Sequence, residues 1–162
     1  MISGKVWKYK DNINTDIISP PAAMELPIKE AAKYAMSPVD DEFASKFQPG
    51  DIFVAEKNLG SGSSRETAPL TLYALGVRAV VAKSYARIFY RNCINVGILA
   101  IECSETDKIS KGDIIEIDYE AGIIENKTKN EKYKCDKIPE HIMQIVRSGG
   151  LLNYLVEHRM SK

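Results

Sequence analysis

The chain has 162 residues, 44% of them hydrophobic, and its 22 lysines and arginines balance 22 aspartates and glutamates. That length fits one domain, 1–162, large enough to fold without disulfide or metal staples. The zero formal net charge excludes a general electrostatic pull toward nucleic acid or an anionic membrane. No apolar run approaches the roughly 18 residues of a membrane span, and the N-terminus lacks the apolar stretch of a secretory signal, so a soluble, cytoplasmic protein is expected.

In chain order, residues 4–9 alternate as a first strand, and Asp11 to Asp16 pack turn-forming polar side chains ahead of the apolar pair Ile17 and Ile18. Ser19, Pro20 and Pro21 break that strand, and residues 28–36 have a helical pattern that Ser37 and Pro38 stop. An insert of about twenty residues is long for a connection, which makes it a candidate lid. The stretch 51–55 predicts a second strand, Thr67 to Leu75 a helix closed by Gly76, and 79–83 a third strand. Ser84 caps a second expected helix running to about Asn95, Gly97 ends it, and 98–102 form another strand.

That rhythm predicts an α/β fold with a mixed, partly parallel sheet flanked by helices. Beyond Cys103 the pattern changes: 113–119 and 122–125 read as antiparallel strands appended around Glu120 and Ala121. Pro139 opens a helix to about Arg147, Gly149 and Gly150 interrupt it, and 151–160 resume it.

Cys93, Cys103 and Cys135 are odd in number, widely spaced and without a CxxC pair, and His141 and His158 are far from them. Reduced thiols and no metal held by this chain alone are expected.

The chemistry concentrates in Gly60-Ser61-Gly62-Ser63-Ser64-Arg65-Glu66, between a predicted strand and a predicted helix. A glycine-rich turn at that place suits anion binding, and an arginine can clamp a carboxylate with two parallel hydrogen bonds. The turn matches neither nucleotide loop, since a dinucleotide fingerprint needs glycine at Arg65 and a triphosphate loop needs Gly-Lys-Ser/Thr. A plainer reading makes Ser63 a helix cap with Glu66 completing a capping box. Pro69 falls past the first turn of a helix that starts at Ser64 but sits comfortably in one capped by Thr67, so two starts three residues apart stay open, and with the second Ser63, Ser64 and Arg65 lie on exposed backbone ahead of the helix.

Arg87 and Arg91, four apart, share a helical face that is either a carboxylate support or a solvated surface. Tyr85, Ile88 and Phe89 are expected to pack as core.

The run 60–66, followed by residues 83–92 and preceded by Asn14-Thr15-Asp16-Ile17-Ile18-Ser19-Pro20, resembles the swivel domain of the aconitase superfamily, firmly over 4–101 and weakly beyond. The chain length is similar to that of the free-standing small subunits of its hydro-lyases, isopropylmalate isomerases among them. The resemblance implies an aconitase-type swivelling domain that closes over a large subunit carrying a [4Fe-4S] cluster, as a heterodimer or heterotetramer. It implies reversible dehydration of a small hydroxy-dicarboxylate, with Ser63 in the role of the proton-abstracting residue and Ser64 and Arg65 in that of carboxylate binding.

In that family the loop after the N-terminal motif reads the variable substituent. Here it contains Pro21, Ala22, Ala23, Met24 and Leu26, with no arginine between Pro20 and Pro38, which suits an apolar group. Isopropylmalate, as in leucine biosynthesis, is the first expectation, then dimethylmalate or methylmalate, then homoaconitate. An anion-binding structural subunit is the non-enzymatic alternative.

Overall fold

The computed structural model describes residues 1–23, 25–63 and 66–160, the Met160 side chain excepted. Seven strands form one mixed sheet in the order β4-β3-β2-β1-β5-β6-β7. Its parallel half comprises β1 (Ile2–Lys8), β2 (Ile52–Val54), β3 (Ala79–Ala82) and β4 (Leu99–Glu102). The antiparallel half comprises β5 (Ile114–Asp118), β6 (Ile123–Asn126) and β7 (Glu131–Lys134), joined to the other edge of β1 through β5.

The parallel strands are apolar on both faces, as strands covered from two sides must be. Trp7, Phe53, Val80 and Ala100 face one core, with Leu72 of α4 (Thr67–Leu75) and Phe89, Cys93 and Ile94 of α5 (Arg87–Val96). Val6, Ile52, Val54, Val81, Leu99 and Ile101 face the other, which Ile115, Ile117, Ile124 and Tyr133 complete. The sheet therefore curls over its second core, and its two edges meet where the Asp136 amide donates to the Glu102 carbonyl at 3.0 Å. Met143 of α6 (Glu140–Arg147) packs into the same core, and α7 (Leu151–Met160) ends the described chain. Among the described residues no helix is long and apolar enough to cross a membrane.

Several expectations need correction. Residues 15–18 are not turn and strand but a helical turn, α1 (Thr15–Ile18), because Asn14 Oδ1 accepts the Ile17 amide at 2.9 Å and caps it. Ser84 does not cap α5, which starts at Arg87; its hydroxyl accepts the Asn58 amide at 2.8 Å instead. Ile88, expected in the core, is 48% exposed, whereas Phe89 is buried and Tyr85 packs against the core.

The insert, the candidate lid, packs against the body. It forms a short α2 (Ile28–Ala31), a 3₁₀ turn and α3 (Phe43–Lys46), and it buries Ala31, Ala32, Ala35, Met36 and Phe43. The small alanines let it close against α4. Tyr9 fastens it further, donating its buried hydroxyl to Asp40 at 2.7 Å. Replacing Tyr9 with Phe is expected to cost about 1–2 kcal/mol, the scale of a hydrogen bond to a charged acceptor. That corresponds to a melting-temperature drop of roughly 3–6 °C in a chain this size, and a melt within 1 °C of the parent chain would contradict the tether.

Candidate active site

Loops at the C-terminal ends of parallel strands are where α/β sheets bind ligands, because helix N-termini and free amides collect there. Here that rim carries residues 56–63, and hydrogen bonds from two remote segments fix its course. From one side, Asp11 Oδ1 accepts the Lys57 amide at 2.9 Å, the Ile13 carbonyl accepts the Gly60 amide at 2.7 Å, and the Thr15 amide donates to the Ser61 carbonyl at 2.9 Å. From the other, the Ser84 carbonyl accepts the Leu59 amide at 3.1 Å and the Ala86 amide donates to the Leu59 carbonyl at 2.9 Å. Glu56, at the start of the loop, accepts from the Thr106 hydroxyl and lies 3.7 Å from Lys8 Nζ, which also donates to the Thr106 and Ile109 carbonyls at 2.8 Å each.

Two glycines make the turn possible. Gly60 has φ +83°, and a Cβ there would stand 2.0 Å from Cγ of the buried Phe89 ring. Gly62 has φ +101° and lies against Thr15, whose Oγ1 would be 3.3 Å from an added Cβ. Only glycine adopts such angles without strain.

Ser63 follows, exposed, with its Oγ 3.3 Å from Thr15 Oγ1. α4 begins at Thr67, with Glu66 at its N-cap position and no side-chain cap bond. Ser63 is thus not the residue that caps α4, and Pro69 falls comfortably in the helix's first turn. The hydroxyl stands just ahead of a nine-residue helix N-terminus, where unsatisfied amides and the helix dipole favour negative charge. Among the described residues Ser63 Oγ lies beside another hydroxyl, that of Thr15.

Ser64 and Arg65, the expected carboxylate-binding pair, lie outside the described residues, as does Met24. Of the expected specificity loop, Pro21 and Ala22 are exposed, Leu26 is 40% exposed, and Ala23 is buried at 2%, so its methyl faces the interior. Asp16 is exposed in the first turn of α1. Arg87 lines a separate polar cleft of about 350 Å³ with Tyr85, Tyr90, Glu102 and Asp136, and Arg91 is exposed.

Among the described residues no group of three or more His, Cys, Asp or Glu side chains is placed to hold a metal ion. The cysteines do not fit a cluster site. Cys93 is buried in the helix-side core, and Cys103 and Cys135 belong to the opposite one. Burial raises all three thiols, Cys135 to about 12. None forms a disulfide.

Thr15, whose hydroxyl the fold brings beside Ser63 Oγ, was not among the expected site residues. Its place within Asn14-Thr15-Asp16 was visible, but nothing local signals a partner 48 residues away.

Comparison with known proteins gives concordant results. The Aconitase C-terminal domain family matches residues 10–106. The chain is 49% identical over 158 residues to the 3-isopropylmalate dehydratase small subunit of Nautilia profundicola, covering 97% of this chain and 95% of that protein. It is 50% identical to the small subunit of the same name from a Hydrogenobaculum species, covering 95% of each. The crystal structure of a 3-isopropylmalate dehydratase from Methanocaldococcus jannaschii superposes with a TM-score of 0.92 at 41% identity, over 98% of this chain and 95% of that one.

Proposed function

The chain belongs to the family of 3-isopropylmalate dehydratase small subunits, within the Aconitase C-terminal domain family, and we propose that it supplies the closing half of a two-chain hydro-lyase. As one swivel domain over residues 1–162 it acts in the cytoplasm, with a large subunit that carries the [4Fe-4S] cluster. The enzyme interconverts 2-isopropylmalate and 3-isopropylmalate by dehydration and rehydration, a step of leucine biosynthesis. The single observation that carries this reading is Ser63, presented on a rigid glycine turn at the sheet's ligand-binding rim with another hydroxyl, not a base, at its side.

A serine hydroxyl takes a proton from carbon only as its alkoxide, and an alkoxide survives only where fixed donors and positive charge replace water. The amides ahead of α4, the Thr15 hydroxyl and Arg65 supply that field in this proposal. Ser63 first passes its hydroxyl proton to a group of the large subunit; its Oγ then bonds to the carbon-bound proton of the substrate, and the released electron pair becomes the double bond. The hydroxyl on the neighbouring carbon departs as water after taking a proton from that same group. Rehydration reverses these steps with the alkene turned end for end. Ser64 and Arg65 hold a substrate carboxylate throughout, and Pro21, Ala22 and Leu26 border the alkyl group. The apolar side chains that Leu70, Leu152, Leu155 and Val156 expose support a partner-covered surface, because such side chains cluster where proteins associate.

The test is reconstitution of this chain with its large subunit under anaerobic conditions, with isopropylmaleate, dimethylmaleate, citraconate and a homoaconitate analogue as substrates. Isopropylmaleate hydration that requires both chains is the expected result. Turnover by the small chain alone would overturn the shared site, and preference for another alkene would reassign the substrate.

A further inference from the structure

We infer that Thr15 is a positioning residue for Ser63, its buried hydroxyl donating to Ser63 Oγ and holding that oxygen in place while it carries negative charge. The inference rests on the reading of Ser63 as the proton-transfer residue and adds to it the group that prepares the serine.

Four observations converge on it. Thr15 is 2% exposed, so its hydroxyl has little access to bulk water and depends on protein partners. Its Oγ1 lies 3.3 Å from Ser63 Oγ, across 48 residues of sequence. Thr15 is the first residue of α1, so no carbonyl one turn earlier within the helix offers the usual outlet for a helical threonine hydroxyl. Finally, the Thr15 amide donates to the Ser61 carbonyl at 2.9 Å, and Gly62 lies against the threonine side chain. The motif that opens α1 and the turn that presents Ser63 therefore form one rigid piece, in which a β-branched side chain has little rotational freedom.

The direction of the hydrogen bond follows from charge. Between two neutral hydroxyls either one donates, but an alkoxide has no proton to give, so during the reaction Thr15 must be the donor. Hydrogen bonds to an ionised acceptor are roughly twice as strong as neutral ones. The contact is therefore worth more while Ser63 is ionised than in the resting protein, which is the differential binding that raises turnover instead of substrate affinity.

The experiment uses the reconstituted two-chain enzyme with Thr15→Val, Thr15→Ser and Ser63→Ala, measuring kcat, KM and assembly with the large subunit. Loss of one donor to a developing oxyanion typically costs about 10²- to 10³-fold. T15V is expected to lower kcat about 100-fold with KM within about twofold of the parent, T15S to recover kcat to within about threefold, and S63A to lower kcat about 10³-fold. T15V retaining more than half of the parent kcat while S63A shows that loss overturns this inference alone. S63A retaining a tenth or more of the parent kcat overturns the reading of Ser63 beneath it. T15S as impaired as T15V, or T15V unable to join the large subunit, makes Thr15 a packing residue and likewise overturns the proposal.

Discussion

Replacing Ser63 with Ala is expected to lower kcat of the assembled enzyme by about 10³-fold, in the range of 10²–10⁴ that positioned proton transfer contributes, equivalent to about 4 kcal/mol of transition-state stabilisation. KM should change little, because in this mechanism the carboxylate clamp is made by Ser64 and Arg65. Stability should fall by about 1 kcal/mol, because the buried Thr15 hydroxyl loses its Ser63 partner. A capping serine would lose a similar amount of stability, about 1 kcal/mol, on change to alanine but leave kcat unchanged. Steady-state kinetics of the variant therefore separates the two. A Ser63→Ala enzyme that keeps a tenth of the parent kcat would remove Ser63 from the chemistry.

Replacing Gly60 with Ala should give the largest loss of stability among changes in the loop. The new methyl would have to occupy space 2.0–2.4 Å from three atoms of Phe89, a side chain anchored in the core between α5 and the sheet. Adding a methyl to a packed interior costs about 1–3 kcal/mol, and a non-glycine residue at φ +83° adds about 1–2 kcal/mol. Together these predict a loss of about 3 kcal/mol and a melting temperature lower by about 10 °C. The Gly62→Ala variant is the control. Its new methyl would be no nearer than 3.3 Å to Thr15 Oγ1, so mainly the dihedral cost remains, about 1 kcal/mol. Equal melting temperatures for the two variants would show that the Phe89 contact does not constrain the turn.

The alternation of the parallel half was legible because its strands are continuous apolar runs and its helices end at glycines. Thr67–Leu75 was read at both ends, helped by Pro69 and Gly76, and the β5–β6 hairpin was read from its alternation. α1 was not legible, since four residues are too few for a helical period and Asn14 reads equally well as a turn residue or a cap. β7 was missed because, of its four residues, Tyr133 alone is buried, and a single inward side chain between charged neighbours gives no alternation to detect.

The site divided in the same way. Ser63 was conspicuous because two glycines precede it within three residues, and the resemblance to aconitase-type swivel domains assigned its role. Thr15 stayed hidden because its importance arises from tertiary contact. Ala23, expected to border the substrate, turned inward, since a short apolar side chain in a 3₁₀ turn gives no hint of which side faces the core.

The position of β1 in the middle of the sheet has a consequence for biosynthesis. One of its edges is matched by β2 early in the sequence, but the other, from Ile2 to Lys5, waits for residues 114–117 of β5. A nascent chain therefore completes the glycine turn of residues 60–63 while the first strand still displays an unmatched ladder of amides and carbonyls, an invitation to pair with sister chains on the same polysome. Lys5, charged and exposed on that ladder, is the kind of residue that discourages such pairing until the partner strand is made.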